Sequence, residues 1–480
     1  MPFLAFRGIV GGMSKHLSRD SGSQSESDVA DLLLIYQRWL PTQVITQLLR
    51  ETGRTFYQRV LPPVVVLWGF IFQRLNRDHS CDAAWSHLSN DEVRRQFGTD
   101  RSQMGRVSES TSAYCQARQR LPLSVAQGIL PLTAQALQEE LGEVGSWHGY
   151  RVNLFDGSTV QLQASRELTE HYGVATNQHG RSHWPLMRLV AGFDLYSGAV
   201  HGVAEGPYRI GEHTLAVELI RRLGPGYLHV ADCNFGVYHL LQAMVGVQSD
   251  ALVRLKITQA KRLAQQALHA GMDVDRVWSR SRFDTCEADL PTASIAGRLI
   301  YVRLEKEGFR PIDLYLFTTL TDRAQFPLED IIALYGARWR VELDLRHIKT
   351  TLEMESLPGK SVEMVRKELV LGLVAYNLLR SLMAVAAVQA GRSPLELSLA
   401  QCWRRTIDAG RGLPANASPE EIATVLDRLL QRLGRCVLPK RKQERFEPRA
   451  VWGRPRVYPA IKGSREQARQ EWMELLKSKS

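Results

Sequence analysis

Between residues 150 and 256 the chain alternates between two hydrophobic periods, and that alternation constrains the fold more than any other feature. The stretches "YRVNLFDGSTVQLQ" (150–163), "PLMRLVAGFDLYSGAVHGVAE" (185–205), "YLHVAD" (227–232) and "ALVRLK" (251–256) are rich in β-branched and aromatic residues. They read as strands, with "YSG" a hairpin-type turn that divides the second stretch. "GEHTLAVELIRRLG" (211–224) and "GVYHLLQAMVG" (236–246) instead repeat at helical spacing. The expected order is strand, strand, strand, helix, strand, helix, strand. A mixed sheet with interleaved helices belongs to the α/β class, in which side chains at strand ends project into a crevice rather than into the core.

The flanking regions read differently. Residues 1–29 include "SKHLSRDSGSQSESDV" (14–29), a Ser-rich polar run that reads as a disordered leader. From 30 to 148 the pattern is helical, in "DVADLLLIYQRWL", "TQVITQLLRETG", "VVVLWGFIFQRL" and "LSVAQGILPLTAQALQEEL", with breaks at "PTQ", "LPP" and "RLPLS". The basic run "RSQMGRVSESTSAYCQARQR" (101–120) falls in this region, and a solvated face is its simplest account. After the alternating region, 149–257, strands return over 258–328 in "VWSRSRFDT", "GRLIYVRLEKEG" and "PIDLYLFTTL". Residues 329–391 are helical, with helices at 329–355 and 361–391, and 392–480 hold two more helices and a basic tail. A chain of 480 residues is too long for one ordinary core.

Composition narrows the class. A formal charge of +11 leans toward a polyanionic partner without requiring one. Six scattered cysteines, with no C-x-x-C pair, argue against a zinc site or a disulfide framework and fit a cytoplasmic, reducing setting. "LVLGLVAYNLLRSLMAVAAV" (369–388) is long enough to span a membrane, but Asn377 and Arg380 lie at its centre. A buried core helix is expected there, and no membrane partner. The N-terminus lacks the basic region and long apolar run of a secretory signal.

Three acidic residues occupy informative places. Asp156 closes the first strand in "NLFDGST", and Asp232 closes the fourth in "YLHVADCNFG". Glu342 lies in "YGARWRVELDLRHIK" (335–349), on the helix that follows the last strand. In that helix Tyr335, Arg338, Glu342 and Lys349 fall within roughly 60° of one another at 100° per residue, as one stripe. Val341, Leu345, Ile348 and Leu352 form a separate apolar stripe about 100° away. Singly, each acid has an ordinary account: an Asp before Gly is a common turn residue, and a helical Glu is usually solvated. Jointly, three carboxylates from different elements suit one or two hard cations with positions left open for substrate oxygens.

This order of elements, with acids after the first strand, after the fourth strand and on the last helix, resembles the ribonuclease H-like core of DDE transposases. The stripe Tyr335-x-x-Arg338-x-x-x-Glu342-x-x-x-x-x-x-Lys349 resembles the Y-R-E-K motif of the insertion-sequence-4 family of bacterial transposases. The likeness covers the chain from about residue 30. It implies a helical DNA-binding domain over 30–148 and a ribonuclease H-like catalytic core over 149–257, interrupted by a β-strand insertion over 258–328. The last core helices then cover 329–391, followed by a helical C-terminal region with a basic tail over 392–480.

The resemblance also implies Asp156, Asp232 and Glu342 as a catalytic triad holding two Mg²⁺ ions, with Mn²⁺ a substitute. It implies DNA contacts from Tyr335, Arg338 and Lys349, and from Arg254 and Lys256 in "ALVRLKIT". The implied partners are the double-stranded terminal inverted repeats of the element, target DNA, and a second copy of the chain in a synaptic complex. Family members that cut through a DNA hairpin use a tryptophan of the inserted strands to stack on a flipped base. Aligned on "LFTTL", that position is Leu314, which leaves the adjacent Tyr315, or Trp278, as candidates for the role. A catalytically dead DNA-binding relative would use the same fold, as would a host nuclease that cuts without strand transfer. The intact acids count against the first, and the Tyr335/Arg338/Lys349 stripe against the second.

Overall fold

The computed structural model describes residue 36 and residues 38–56, 61–89, 110–177, 180–281, 284, 294–305, 311–410 and 418–439, with scattered positions from 464 to 478. The Ser-rich leader and most of the basic tail lie outside the described residues. Contacts divide the chain into two compact units, Met1–Val302 with Leu314–Pro439, and Arg303–Asp313 with Lys440–Ser480. In the second unit Ser464 and Gln467 cap each other: Ser464 N donates to Gln467 Oε1 (3.0 Å) and Gln467 N to Ser464 Oγ (3.2 Å). The first unit carries the fold.

Its centre is a mixed sheet of ten strands among the described residues. The strands are β1 (Arg151–Leu162), β2 (Val174–Asn177), β3 (Gly180–Asp194), β4 (Val200–Pro207), β5 (Tyr227–Ala231), β6 (Asp250–Arg254), β7 (Met272–Trp278), β8 (Ile295–Leu304), β9 (Ile312–Thr318) and the short β10 (Ser356–Leu357). The path is β2-β3-β1-β5-β6-β9-β8-β7, with β4 on β3 and β10 on β1. β4, β3 and β1 pair antiparallel, while β5 and β6 continue parallel to β1. The strands of residues 258–328 do not form a separate layer. β9 pairs antiparallel with β6, from Leu252↔Thr318 to Arg254↔Leu316, and extends the same sheet.

Strand side chains alternate between the two faces, so each face has its own core. One face carries Val152, Leu154, Leu228, Val230, Leu252 and Leu316, and the other Phe155, Ala231, Ala251, Val253 and Phe317. Helices α7 (Glu212–Leu223), α8 (Tyr238–Gly246) and α9 (Ile257–Ala264) cover the second face. The first face is covered by α12 (Val362–Gln389) together with α1 (Thr42–Glu51), α2 (Pro63–Leu75), α5 (Leu123–Leu141), α10 (Leu328–Ala337), α11 (Arg340–Arg346) and α14 (Pro419–Gly434). The remaining helices α3 (Cys81–Ser89), α4 (Ser112–Arg120), α6 (Arg166–Tyr172) and α13 (Leu399–Gly410) pack around these. Ile45 of α1, Leu67 of α2 and Ile129 of α5 share one apolar core with Leu373 and Leu378 of α12. The change of pattern near residue 148 is therefore a change of secondary structure and not a break in the core.

Helix α12 is long and apolar enough to cross a membrane by length and composition, and all of its apolar stretch is buried in the protein. Two polar residues in the middle of that stretch explain why. Asn377 accepts from Val200 N (2.8 Å) and donates to Val200 O (3.0 Å), acting on β4 as a strand partner would. Arg380 pairs with the buried Asp344 of α11, which also accepts from Tyr376 Oη (3.1 Å). A buried ion pair with its remaining polar atoms satisfied fixes how α11 sits on α12. Arg118, in the basic run of residues 101–120, is likewise buried and paired, at 2.7 Å from Glu368 of α12. At that position the expected solvated face is a core ion pair.

Candidate active site

The parallel register between β1 and β5 runs from Arg151↔Tyr227 to Leu154↔Val230. Carried two places on, it sets Asp156 abreast of Asp232, about one strand spacing away. Both acids have the parity of Leu154 and Val230, so both belong to the sheet face covered by α10–α12. Asp156 does not close its strand. β1 continues to Leu162 because β3 stays paired with it as far as Gln161↔Leu186. The neighbour ends instead: β5 stops at Ala231 and leaves that edge of β1 open beyond Asp156. The crevice is made by a short strand beside a long one.

A compact turn fixes Asp232. Its Oδ1 accepts from Asn234 N (2.9 Å) and its carbonyl from Phe235 N (3.2 Å). Phe235 is buried on the second face, edge-on to Phe155 at 4.9 Å, so the residue before Asp156 and the residue three after Asp232 are packed together. Gly236 follows where no side chain fits, since a Cβ there would stand 2.1 Å from the Arg254 carbonyl oxygen. That approach also ties the end of β6 to the turn.

The third acid arrives from the opposing layer. The helix expected over 329–355 is divided: α10 ends at Ala337, α11 begins at Arg340, and His347–Thr351 form a π-helical turn. The apolar stripe behaves as its period implies, with Val341, Ile348 and Leu352 buried. The polar stripe does not stay in one line. Arg338 Nη2 donates to Glu342 Oε1 (3.0 Å), and the Tyr335 ring is buried in the core of the first face. The π turn changes the rotation per residue, and Lys349 ends beside Ser158 and Val160 of β1, where the three line one small cavity. Lys349 is thus on the face of Asp156, one strand repeat further along.

Electrostatics links these groups. The Asp156 carboxyl is pushed up to about 6, first by burial and then by the negative charges of Asp232 and Glu342, against the Gly157 N–H and the Arg338 charge. Burial pushes the Tyr335 hydroxyl up to about 12, opposed by Arg338 and by Arg254. Arg254 therefore belongs to the same neighbourhood, and Lys256 is exposed just past β6. Among the described residues no three His, Cys, Asp or Glu side chains are close enough to hold a metal ion as they stand. Glu342 is turned to Arg338, and Asp156 Oδ1 accepts from Gly157 N (2.7 Å). The donor set still suits a hard divalent cation: it is all oxygen, and its charges repel one another across a partly desolvated gap.

The family described as the Transposase DDE domain matches residues 147–378, which takes in all three acids. Transposase InsG for insertion sequence element IS4, from Escherichia coli, is 26% identical over 435 residues, covering 88% of this chain and 92% of its own. Over these spans the chain is similar to DDE transposases of the insertion-sequence-4 type. A second Escherichia coli relative, the putative transposase InsZ, is 28% identical over 203 residues, 42% of this chain and 64% of its own. The cryo-EM structure of a piggyBac transposase synaptic complex with hairpin DNA aligns with 86% of this chain and 83% of its own, at a TM-score of 0.38 and 9% identity.

Two expectations about the inserted strands need correction. Trp278 is fully buried against Phe317 (5.2 Å) on the second face, and Tyr315 is buried against Tyr301 (4.6 Å) on the same face. Leu314 points to the first core. β7, β8 and β9 are part of the main sheet, and Trp278 and Tyr315 are spent on its second core, so neither ring is presented to a base. The exposed aromatic beside the triad is Trp339, 60% accessible, with the Arg338 guanidinium 5.6 Å from its ring.

Sequence reading also passed over Asp344 and Glu212, the first residue of α7. At 100° per residue Asp344 falls about 150° from the polar stripe, and its buried pairing depends on Arg380, 36 residues away.

Proposed function

We propose that this chain is a DNA transposase that binds the terminal inverted repeats of its element and moves it by cut-and-paste transposition, cutting DNA strands and joining the freed 3′-hydroxyl to target DNA. The observation that carries the reading is the pair Asp156 and Asp232, abreast where β5 ends, with Glu342 facing them from α11. The strand order β4-β3-β1-β5-β6, with the last two parallel to β1, supports a ribonuclease H-like core.

In this reading Asp156, Asp232 and Glu342 hold two divalent cations, Mg²⁺ or Mn²⁺. The chemistry such cations supply is activation of a water or a DNA 3′-hydroxyl, and neutralisation of charge as the phosphorus becomes pentacoordinate. The protein's own groups do the rest. Arg338 neutralises Glu342 until DNA arrives and then turns to a phosphate, since a guanidinium binds either anion through the same fork. Arg254 and Lys349 lie on the same sheet face, on either side of the triad, and Lys256 just beyond, where they contact flanking phosphates. Tyr335 braces Arg338 and Arg254 from the core.

Two element ends have to be held at once, so the working assembly contains at least two copies, acting in the bacterial cytoplasm. Incubating the protein with its own element ends and Mg²⁺ tests the reading. Intact protein is expected to nick and join DNA, and Glu342→Ala to lose at least a thousandfold in rate, about 4 kcal/mol of barrier. Equal cleavage by both proteins would remove the triad, and cutting without joined products would favour the nuclease. Denaturing gels of the same reaction report whether a hairpin forms.

A further inference from the structure

We infer that Glu212 is a fourth carboxylate of the cation site, reaching it from the opposite face of the sheet. The inference rests on reading Asp156 and Asp232 as cation ligands and adds a residue that reading does not contain. Glu212 opens α7, on the second face, whereas Asp156 and Asp232 belong to the first. Between the end of β5 and the start of β10 no strand pairs with that edge of β1, so groups from both faces can meet there.

Two observations place the Glu212 carboxylate in that gap. A Cβ at Gly157 would stand 2.5 Å from its Cδ and 2.8 and 2.9 Å from its two oxygens. Glycine inside a strand weakens it and marks a close approach, and here it clears space for a carboxylate immediately after Asp156. On the other side, Glu212 Oε2 accepts from Asn234 Nδ2 (3.0 Å), and Asn234 N donates to Asp232 Oδ1 (2.9 Å). Glu212 therefore touches the residue after one aspartate and the residue two after the other.

A favourable helix-start charge alone would explain an acid at this position, but it would not require a bare glycine on β1. No lysine or arginine pairs with Glu212 among the described residues. Its one side-chain partner is the neutral Asn234 amide. Two divalent cations carry four positive charges, and Asp156, Asp232, Glu342 and Glu212 match them with four negative ones.

Mn²⁺ binding to the full-length protein, followed by electron paramagnetic resonance without DNA, separates the outcomes. Glu212→Gln keeps the size and the acceptor for Asn234 but removes the charge, and it should weaken Mn²⁺ binding by about 10- to 100-fold. Gly157→Ala keeps all four acids and pushes the flexible Glu212 end aside, so it should weaken binding in the same direction. Unchanged affinity in Glu212→Gln overturns the inference, and weakening confined to Glu212→Ala would make Glu212 only a prop for Asn234, which also overturns it. Asp156→Asn is the control. If it too binds Mn²⁺ like the parent, the reading of the triad itself has failed.

Discussion

Asp156 pays for its position in stability. Its folded-state carboxyl is raised from 3.8 to about 6, mainly by burial, so the charged form is the disfavoured one. The sign follows: stability is full below pH 4 and is lost as pH rises through about 6. Asp156→Asn removes that penalty. In EDTA at pH 7.5 the variant should resist urea better than the parent, by roughly 1 kcal/mol after discounting for partial exposure. The advantage should vanish below pH 4, and urea titrations across pH 4–8 measure it. An active-site substitution that stabilises the metal-free protein is what a site built for cations implies. The three acids were legible in the sequence because each stood next to a turn or on a helix of clear period. The bond from Arg338 to Glu342 is also one that their i,i+4 spacing allows.

At the scale of elements, the Asp232 turn is held by aromatic packing as well as by hydrogen bonds. Phe235→Ala would empty a buried site beside Phe155 and cost about 3–5 kcal/mol by chemical denaturation. If the turn positions Asp232, DNA cleavage at a temperature where the variant stays folded should fall as well. Strand and helix existence was readable from period alone. α12, expected at 361–391, is found at Val362–Gln389, and the two helices expected within 392–480 are found at Leu399–Gly410 and Pro419–Gly434. The helix expected over 329–355 was misread because its period is nearly intact, while the break at Arg338–Trp339 and the π turn come from docking on β1 and α12. The buried Trp278 was misread for a related reason. An amphipathic strand shows that one side is apolar but not whether a neighbouring strand will extend the sheet and cover it.

At the scale of the molecule, α12 joins the helical N-terminal region, the sheet and the acid-bearing α11. The Asp344–Arg380 pair is where α11 is fastened. Arg380→Met leaves the Asp344 charge buried without its guanidinium and should cost about 3–5 kcal/mol, read by urea unfolding. Arg380→Met with Asp344→Leu should recover much of that loss, because replacing a whole buried pair is far cheaper than breaking it. The most direct test of the account is a crystal structure with Mn²⁺ and the element's end DNA, with the metal located by anomalous scattering. The account places Mn²⁺ within about 2.3 Å of carboxylate oxygens from Asp156, Asp232 and Glu342 together. Mn²⁺ bound elsewhere on the protein, with those three carboxylates left uncoordinated, would contradict it.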